Sequence, residues 1–375
     1  MATTWSELYS KMVLKAKVRK EFIATSFELT ARCNMQCKMC YVRHPVYDKE
    51  TIAKELTTAQ WLRLAEEARD AGLLFLTLTG GEVLLREDFK ILYEKLSNLG
   101  LIIKILTNGT LITPEFVNWL ASIPPKLVSI TLYGASRETY KNITGFADGY
   151  DKTVSAIDNL LEKGIPTEIK TTVVQGNKHE YDQIHDFALQ RTGVLGVVNY
   201  ISPARENCNS DPRGNRLSPE ELFRYERHMT EKFHLLSNEK DKSESSRLDD
   251  VMADIQPNKP AETRQVKESD YPFRCTVGLC TGWVTWDGHL IPCGLLDEPV
   301  TYPLINGFKG AWEELKQKCA LIPKCRECRE CAYRTFCERC PARLYRETGR
   351  YDKPAPYLCE LARKRTEYEK TKKQA

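Results

Sequence analysis

Cys33-Asn34-Met35-Gln36-Cys37-Lys38-Met39-Cys40 decides how the rest of this chain is read. Three thiols at C-x3-C-x2-C spacing follow directly on a strand-like run at 22–30. Soft thiolates select iron–sulfur clusters, zinc or copper(I) over hard ions. A cubane [4Fe–4S] cluster takes four ligands, so three local cysteines leave one iron without a protein ligand. An open iron serves to bind something other than protein, which a structural cluster does not need. The competing reading of the stretch is a zinc knuckle, or three unrelated core cysteines.

The chain has 375 residues, enough for one large domain or two with a substantial core. Fourteen cysteines suit either a secreted disulfide scaffold or an intracellular metal protein. Residues 1–21 contain no apolar signal-peptide core and read as an amphipathic helix, with Trp5, Leu8, Met12 and Ala16 on one face. No run approaches 18 apolar residues, so no membrane span is expected. The net charge of +4, from 55 basic and 51 acidic residues, gives no warrant for nucleic-acid binding. Metal ligands in a reducing cytoplasm account best for the cysteines. Three lie between 33 and 40, one at 208, and ten between 275 and 359, which implies two regions with different chemistry.

Between 22 and 205, β-branched runs at 22–30, 73–79, 102–106, 127–132, 168–174 and 196–201 alternate with helical patterns. The helices are expected at 58–71, 87–99, 114–121, 149–163 and 179–190. The alternation predicts an α/β fold with a parallel sheet, and pattern alone leaves an open doubly wound sheet and a barrel as alternatives. Domain boundaries are expected at 1–21 for the N-terminal helix, 22–236 for the α/β region, 237–270 for a linker or mobile loop, 271–360 for a Cys-rich domain and 361–375 for a charged tail. The 237–270 stretch is Ser/Lys/Glu/Asp-rich without aromatics, and the tail reads as a solvated, fraying helix.

Further motifs fall just after successive strands, where ligands gather in parallel α/β folds. They are Thr79-Gly80-Gly81-Glu82, Thr107-Asn108-Gly109, Thr131-Leu132-Tyr133-Gly134, the pair Gln175 and Asn177, and Arg205. With the triad and Tyr41 after it, this order resembles the radical SAM superfamily. The resemblance implies a partial (β/α)6 barrel, with the amino and carboxylate groups of S-adenosylmethionine (SAM) on the open iron. Glu82 would then meet the methionine ammonium, and Gly80 and Gly81 would let backbone approach the ligand. Val83 stands where most relatives have Pro, so a slightly different backbone is expected there. Asn108 is expected on a ribose hydroxyl, and Gln175 and Asn177 on the adenine or ribose side. Arg205 is expected on a carboxylate of cofactor or substrate. Ser129 and Thr131 are read as pointing to opposite faces of the fourth strand, so that one reaches the cofactor.

The C-terminal cysteines read C-x4-C-x7-G-x4-C from Cys275 through Cys280 to Cys293, then C-x2-C-x5-C-x2-C from Cys328 through Cys331 and Cys337 to Cys340, and finally Cys359. This resembles the SPASM domain of peptide- and protein-maturing radical SAM enzymes, although the central block is one residue short of the usual spacing. The resemblance implies two auxiliary [4Fe–4S] clusters, one on Cys275, Cys280, Cys293 and Cys340, the other on Cys328, Cys331, Cys337 and Cys359. With the triad that makes three clusters. Paired structural zinc sites are the alternative, and Cys319 and Cys325 remain over.

The implied activity is reductive cleavage of SAM and hydrogen abstraction from a peptide or protein side chain, forming a thioether or C–C crosslink or an oxidised residue. Other readings are action on a small metabolite or tetrapyrrole, formylglycine formation in a sulfatase, and peptide epimerisation with Cys208 as hydrogen-atom donor. Gly294 stands where sulfatase-maturing relatives carry an Asp after the cysteine matching Cys293, which counts against formylglycine formation. Expected partners are a flavodoxin- or ferredoxin-type electron donor and the peptide substrate. Only about 21 residues precede the first strand, so any leader-peptide-binding module is expected to be a separate protein.

Overall fold

The computed structural model describes residues 5–205, 208, 210–239 and 271–374. The chain divides into two compact units. One comprises Lys11–Asn215 and Thr276–Cys319, the other Met1–Ser10, Arg216–Cys275 and Ala320–Ala375.

The first unit is built on a sheet of eight strands: β1 Ala24–Glu28, β2 Phe75–Thr79, β3 Ile102–Thr107, β4 Leu127–Thr131, β5 Thr167–Thr172, β6 Leu195–Val198, β7 Thr281–Val284 and β8 Leu290–Ile291. Their order is β6-β5-β4-β3-β2-β1-β7-β8, and every pairing is parallel except β7 with β8. The six expected strands lie side by side in chain order. A doubly wound sheet reverses its order at a switch point, and this one does not. Right-handed crossovers wound in a single direction put every helix on one face. That settles the open alternatives in favour of a partial (β/α)6 barrel.

The five expected helices form at Thr58–Asp70, Phe89–Asn98, Pro114–Ser122, Gly149–Glu162 and Tyr181–Thr192. Strand residues such as Phe27, Leu78, Ile105 and Ile130, and helix residues such as Trp61, Leu64, Leu92 and Leu160, are almost wholly buried. The alternate strand positions form a second row across the sheet. Registers pair Glu28 with Thr79, Thr77 with Lys104, Leu106 with Ser129, Ser129 with Glu168 and Thr131 with Lys170. Parallel strands covered on both faces are near-continuously apolar. A row with polar and charged side chains on the face away from the helices therefore marks a polar lumen.

Two features depart from expectation. An additional helix, Arg137–Thr144, forms between Ser136, whose hydroxyl accepts from the Thr139 N–H, and Gly145 in the left-handed region at φ 68°. The boundary expected at 271 also fails, because Thr276–Cys319 folds with the barrel. Within it β7 extends the sheet beside β1, from Ala24 opposite Thr281 to Phe27 opposite Val284. Phe308 and Trp312 pack on Phe22 with ring centroids 5.0 and 4.7 Å apart.

In the second unit, helix Pro219–Glu239 packs on helix Pro356–Gln374, with Phe223 and Tyr368 edge-to-face at 5.7 Å. Leu358, Leu361, Ala362 and Thr366 are buried. The Arg365 guanidinium bridges the carboxylates of Glu226 and Glu338. The segment from 361 is thus a docked helix in its first turns, and its solvated character was overestimated because the charged residues mask a narrow apolar stripe. Of the expected linker, residues 240–270 lie outside the described residues.

Candidate cofactor and active site

The parallel register places the ends of β1 and β2 side by side, and the Leu29 N–H donates to the Thr79 carbonyl at 2.8 Å. The loop after β2 then lies on the backbone leading into the triad. The Gly81 N–H bonds the Thr30 carbonyl at 2.7 Å, and the Glu82 N–H bonds that of Arg32 at 2.8 Å. A Cβ on Gly80 would stand 2.3 Å from the Thr30 oxygen, and one on Gly81 would stand 2.3 Å from the Arg32 oxygen. These glycines were assigned to close approach of a ligand. What they permit here is close approach of the chain's own backbone.

In the triad loop the intervening Met35 and Met39 are buried. The Gln36 and Lys38 N–H groups bond the carbonyls of Thr144 and Ile143 at 2.6 and 3.1 Å, so the unforeseen helix Arg137–Thr144 carries the loop. Cys33 Sγ accepts from the Met35 N–H at 3.4 Å and from Asn108 Nδ2 at 3.8 Å. The Tyr133 hydroxyl hydrogen-bonds the Cys37 thiol. Burial pushes the Cys33 and Cys37 thiols up to about 12, so a bound metal would have to displace their protons. Among the described residues, no three His, Cys, Asp or Glu side chains are gathered tightly enough to ligate a single metal ion. A tetrahedral zinc site needs all its sulfurs within about 2.3 Å of one ion. A cluster gives each thiolate its own iron, and three thiols on one braced loop, Cys37 buried and Cys33 and Cys40 partly so, fit that demand.

Glu82 is fully buried and tied on both oxygens. Oε1 accepts from the Thr107 hydroxyl at 2.7 Å and the Leu84 N–H at 3.1 Å, and Oε2 accepts from the Asn108 N–H at 2.7 Å. Burial raises its pKa, partly offset by these donors. Asn108 donates from Nδ2 to Asn34 Oδ1 at 2.9 Å and to Cys33 Sγ, and its Oδ1 accepts from both the N–H and the hydroxyl of Thr110. A side-chain amide has two donors and two acceptor positions, and all are occupied. The expected ribose contact is therefore unavailable to Asn108, which instead orders the triad loop. Asn177 is likewise committed, to the carbonyls of Tyr133 and Thr172 and the N–H of Val174. The adenine or ribose role expected of it does not fit that position. The half-buried Gln175 accepts from Lys178 at 2.7 Å.

Ser129 and Thr131 are two residues apart on one strand and share a face, contrary to the reading that set them on opposite sides. Both belong to the lumen row. There Glu168 Oε1 lies 2.9 Å from the ammonium groups of both Lys104 and Lys170, and Ser129 stands opposite Glu168 in the strand register. Burial alone would raise Glu168, but Lys170 and Lys104 outweigh it and hold the carboxyl below its ordinary range. Two lysines around one carboxylate leave a surplus positive charge in the lumen. Sequence reading missed all three residues, although charged side chains at lumen parity inside apolar strands were a usable signal.

Arg205 does find a carboxylate, but an internal one. Its Nη2 is 2.6 Å from Glu28 Oε2, which also accepts from Trp283 Nε1 at 2.8 Å. Burial works against the Arg205 charge, yet Glu28 outweighs it and raises the pKa. Glu28 Oε1 and Arg205 Nε are buried without hydrogen-bond partners. The Arg205 guanidinium lies 5.5 Å from the centroid of the Tyr41 ring. Gly294 belongs to this cluster, since a Cβ there would meet the Trp283 indole at 3.0 Å. Cys208 sits at the triad: its thiol bonds the Cys40 carbonyl at 3.3 Å and the Cys40 thiol.

The remaining cysteines divide between the units. Cys280 and Cys293 belong to the first, Cys275 and Cys340 to the second. Cys328, Cys331, Cys337 and Cys359 all lie in the second. Cys328 sits within the short helix Arg326–Glu330, between Cys325 at its N-cap and Cys331 at its C-cap. Burial first, then Cys325, Cys337 and Cys359, raise the Cys328 thiol.

Residues 27–189 match the radical SAM superfamily model. The "AdoMet-dependent heme synthase" of Methanosarcina barkeri is 27% identical over 355 residues, covering 88% of this chain and 95% of that protein. The "PqqA peptide cyclase" of Rhizobium meliloti is 29% identical over 163 residues, covering 44% and 43%. Among solved structures, Streptococcus suis SuiB bound to S-adenosylmethionine has a TM-score of 0.67 at 16% identity, covering 94% of this chain and 81% of that one. anSMEcpe with bound AdoMet has a TM-score of 0.67 at 15% identity, covering 93% and 97%. These structures share the fold, and no helix among the described residues is long and apolar enough to cross a membrane. Over residues 27–189 the chain thus carries a radical SAM domain.

Proposed function

We propose that this enzyme takes a hydrogen atom from a peptide or protein side chain, giving a post-translational crosslink such as a thioether or C–C bond, or an oxidised residue. The observation that carries the reaction class is the bracing of the triad loop by Gly80-Gly81-Glu82 and by Asn108. Cys33, Cys37 and Cys40 would hold a [4Fe–4S] cluster with SAM at its open iron. When bound, that cluster supplies one electron to SAM, which yields methionine and a 5′-deoxyadenosyl radical. Glu82 would meet the methionine ammonium, and the surplus lysine charge around Glu168 suits a carboxylate of SAM or substrate. Cys275, Cys280, Cys293 and Cys340, and Cys328, Cys331, Cys337 and Cys359, would hold two auxiliary clusters, where the electron of an oxidised substrate can go. A flavodoxin- or ferredoxin-type protein would supply the reductant.

A peptide substrate is supported by the relatedness to PqqA peptide cyclase. A tetrapyrrole substrate is the second reading, favoured by one observation: the heme synthase alignment covers 88% of this chain, whereas the cyclase alignment covers under half of it. Formylglycine formation is disfavoured because Trp283 fills the space that a side chain at 294 would need.

Anaerobic reconstitution tests the reading. About twelve iron per chain and reductant-dependent 5′-deoxyadenosine are expected. About four iron with zinc would overturn the auxiliary clusters, and no 5′-deoxyadenosine would overturn the reaction class. Deuterium transfer into 5′-deoxyadenosine from a side-chain-deuterated peptide, rather than from a deuterated tetrapyrrole, decides the substrate.

A further inference from the structure

The charges of Lys104, Glu168 and Lys170 do not balance. Elsewhere in the barrel the carboxylate of Glu28 is matched by Arg205 at 2.6 Å, and Glu82 is left for the ammonium of SAM. Lys104 and Lys170 instead share one carboxylate, each 2.9 Å from the same oxygen of Glu168. One lysine would neutralise it, so the second leaves the group with a positive charge. Burial, and then Lys104, outweigh Glu168 and lower the Lys170 pKa. A charge held away from water without its counter-ion is costly, and an anionic ligand removes that cost. The Glu168 side chain is 2% exposed, whereas those of Lys104 and Lys170 are 18% and 21% exposed. The lysines can therefore be reached, while the carboxylate that anchors them cannot. Thr131 stands opposite Lys170, and the Leu132 N–H donates to the Lys170 carbonyl at 2.7 Å. That sets Lys170 level with the carboxyl end of β4, at the end of the barrel where the triad loop lies.

We propose that Lys104 and Lys170 bind a carboxylate of the substrate, either an acidic side chain of a peptide or a carboxylate arm of a tetrapyrrole. This rests on the radical SAM reading above, in which the carboxylate of SAM is taken by the open iron. With the substrate bound, two ammonium groups face two carboxylates and the group is neutral. Glu168 is then a positioning residue that holds both lysines at the lumen.

The test uses the reconstituted full chain with SAM and without reductant, so that binding is read without turnover. The probes are a glutamate-containing peptide with its glutamine analogue, and a porphyrin carboxylic acid with its methyl ester. Anaerobic calorimetry measures each affinity. In the wild type the carboxylate form of one pair is expected to bind about tenfold or more tightly than its uncharged partner, and that pair identifies the source of the carboxylate. Lys104→Gln and Lys170→Gln are expected to reduce the preference below about threefold, Lys170→Arg to keep it, and Glu168→Gln to increase it, all with SAM affinity unchanged. A purely structural ion cluster would leave the preference as it was, which overturns the proposal, as does a wild type that prefers neither carboxylate. Weakened SAM binding in the lysine variants would assign them to the cofactor and overturn it as well. If the glutamine variants lack a native circular dichroism spectrum, the wild-type preference and its increase in Glu168→Gln decide. A wild type that gives no 5′-deoxyadenosine when reductant is added fails the reaction class itself, a result distinct from any of these.

Discussion

Replacing Glu82 by Gln separates the charge of that side chain from its bracing role. The carboxylate holds three donors, the Thr107 hydroxyl and the N–H groups of Leu84 and Asn108. An amide oxygen in the Oε2 position keeps the Asn108 bond and turns the NH2 toward Leu84 and Thr107. The Thr107 hydroxyl can rotate to accept, so one buried N–H is left unpaired, at a cost of about 1–3 kcal/mol. Ala at the same position would orphan both N–H groups and cost about 2–6 kcal/mol, a large part of the ~5–15 kcal/mol that a domain has. E82Q is therefore expected to fold and assemble its cluster. SAM binding should suffer far more, because truncating one partner of a buried charge pair costs about 2–5 kcal/mol. That corresponds to a roughly 30- to 4,000-fold weaker Kd. Anaerobic calorimetric titration of SAM into the reconstituted protein, beside a urea melt of the metal-free protein, measures both quantities. A Kd within threefold of wild type at intact iron content would refute the assignment of Glu82 to the ammonium.

Gly294→Asp is expected to destabilise the protein by about 1–3 kcal/mol through overpacking against Trp283, without conferring formylglycine formation. A urea melt and a sulfatase-peptide assay check both, and new activity would show that the indole can move aside. Glu168→Gln is expected to cost about 3 kcal/mol near neutral pH, the low end for a broken buried ion pair because the lysines are partly exposed. Glu168 titrates below its usual 4.5 in the folded state, so its stabilisation is present above 4.5 and is lost as pH falls through the lowered value. The E168Q deficit should therefore shrink in acid, and a deficit independent of pH would contradict the ion-pair account. Cys208→Ala is expected to leave both SAM cleavage and product formation in place, since its thiol is engaged with Cys40. Lost product with intact cleavage would restore its role as hydrogen donor.

The six barrel strands were legible because β-branched runs alternate with helices at a spacing that suits βαβ units. Strand order was not, since periodicity is the same for a singly and a doubly wound sheet. Helix Arg137–Thr144 escaped because eight residues with few apolar side chains give little periodic signal, and its ends are set by the Ser136 cap and Gly145. Strand β7 is four residues long and pairs with β1 across more than 250 positions of chain. No local pattern announces such a pairing, and for that reason the domain boundary was set too early.

At the site, residue identity and position along the chain proved easier to read than the partner of each side chain. Glu82 and Arg205 invite pairing with a ligand because their charges are visible in the sequence, while their internal partners depend on register. Asn108 makes the point most sharply. Its place after β3 beside the triad was foreseen, but the number of its hydrogen bonds already taken is a property of the folded loop. With all four occupied, its contribution to SAM binding is indirect, through the placement of Cys33 and Asn34. Beside Glu82, direct polar contacts to a ligand can then come from the lumen row, where Lys104 and Lys170 surround the Glu168 carboxylate. That row is built by the sheet alone, from positions two apart on neighbouring strands.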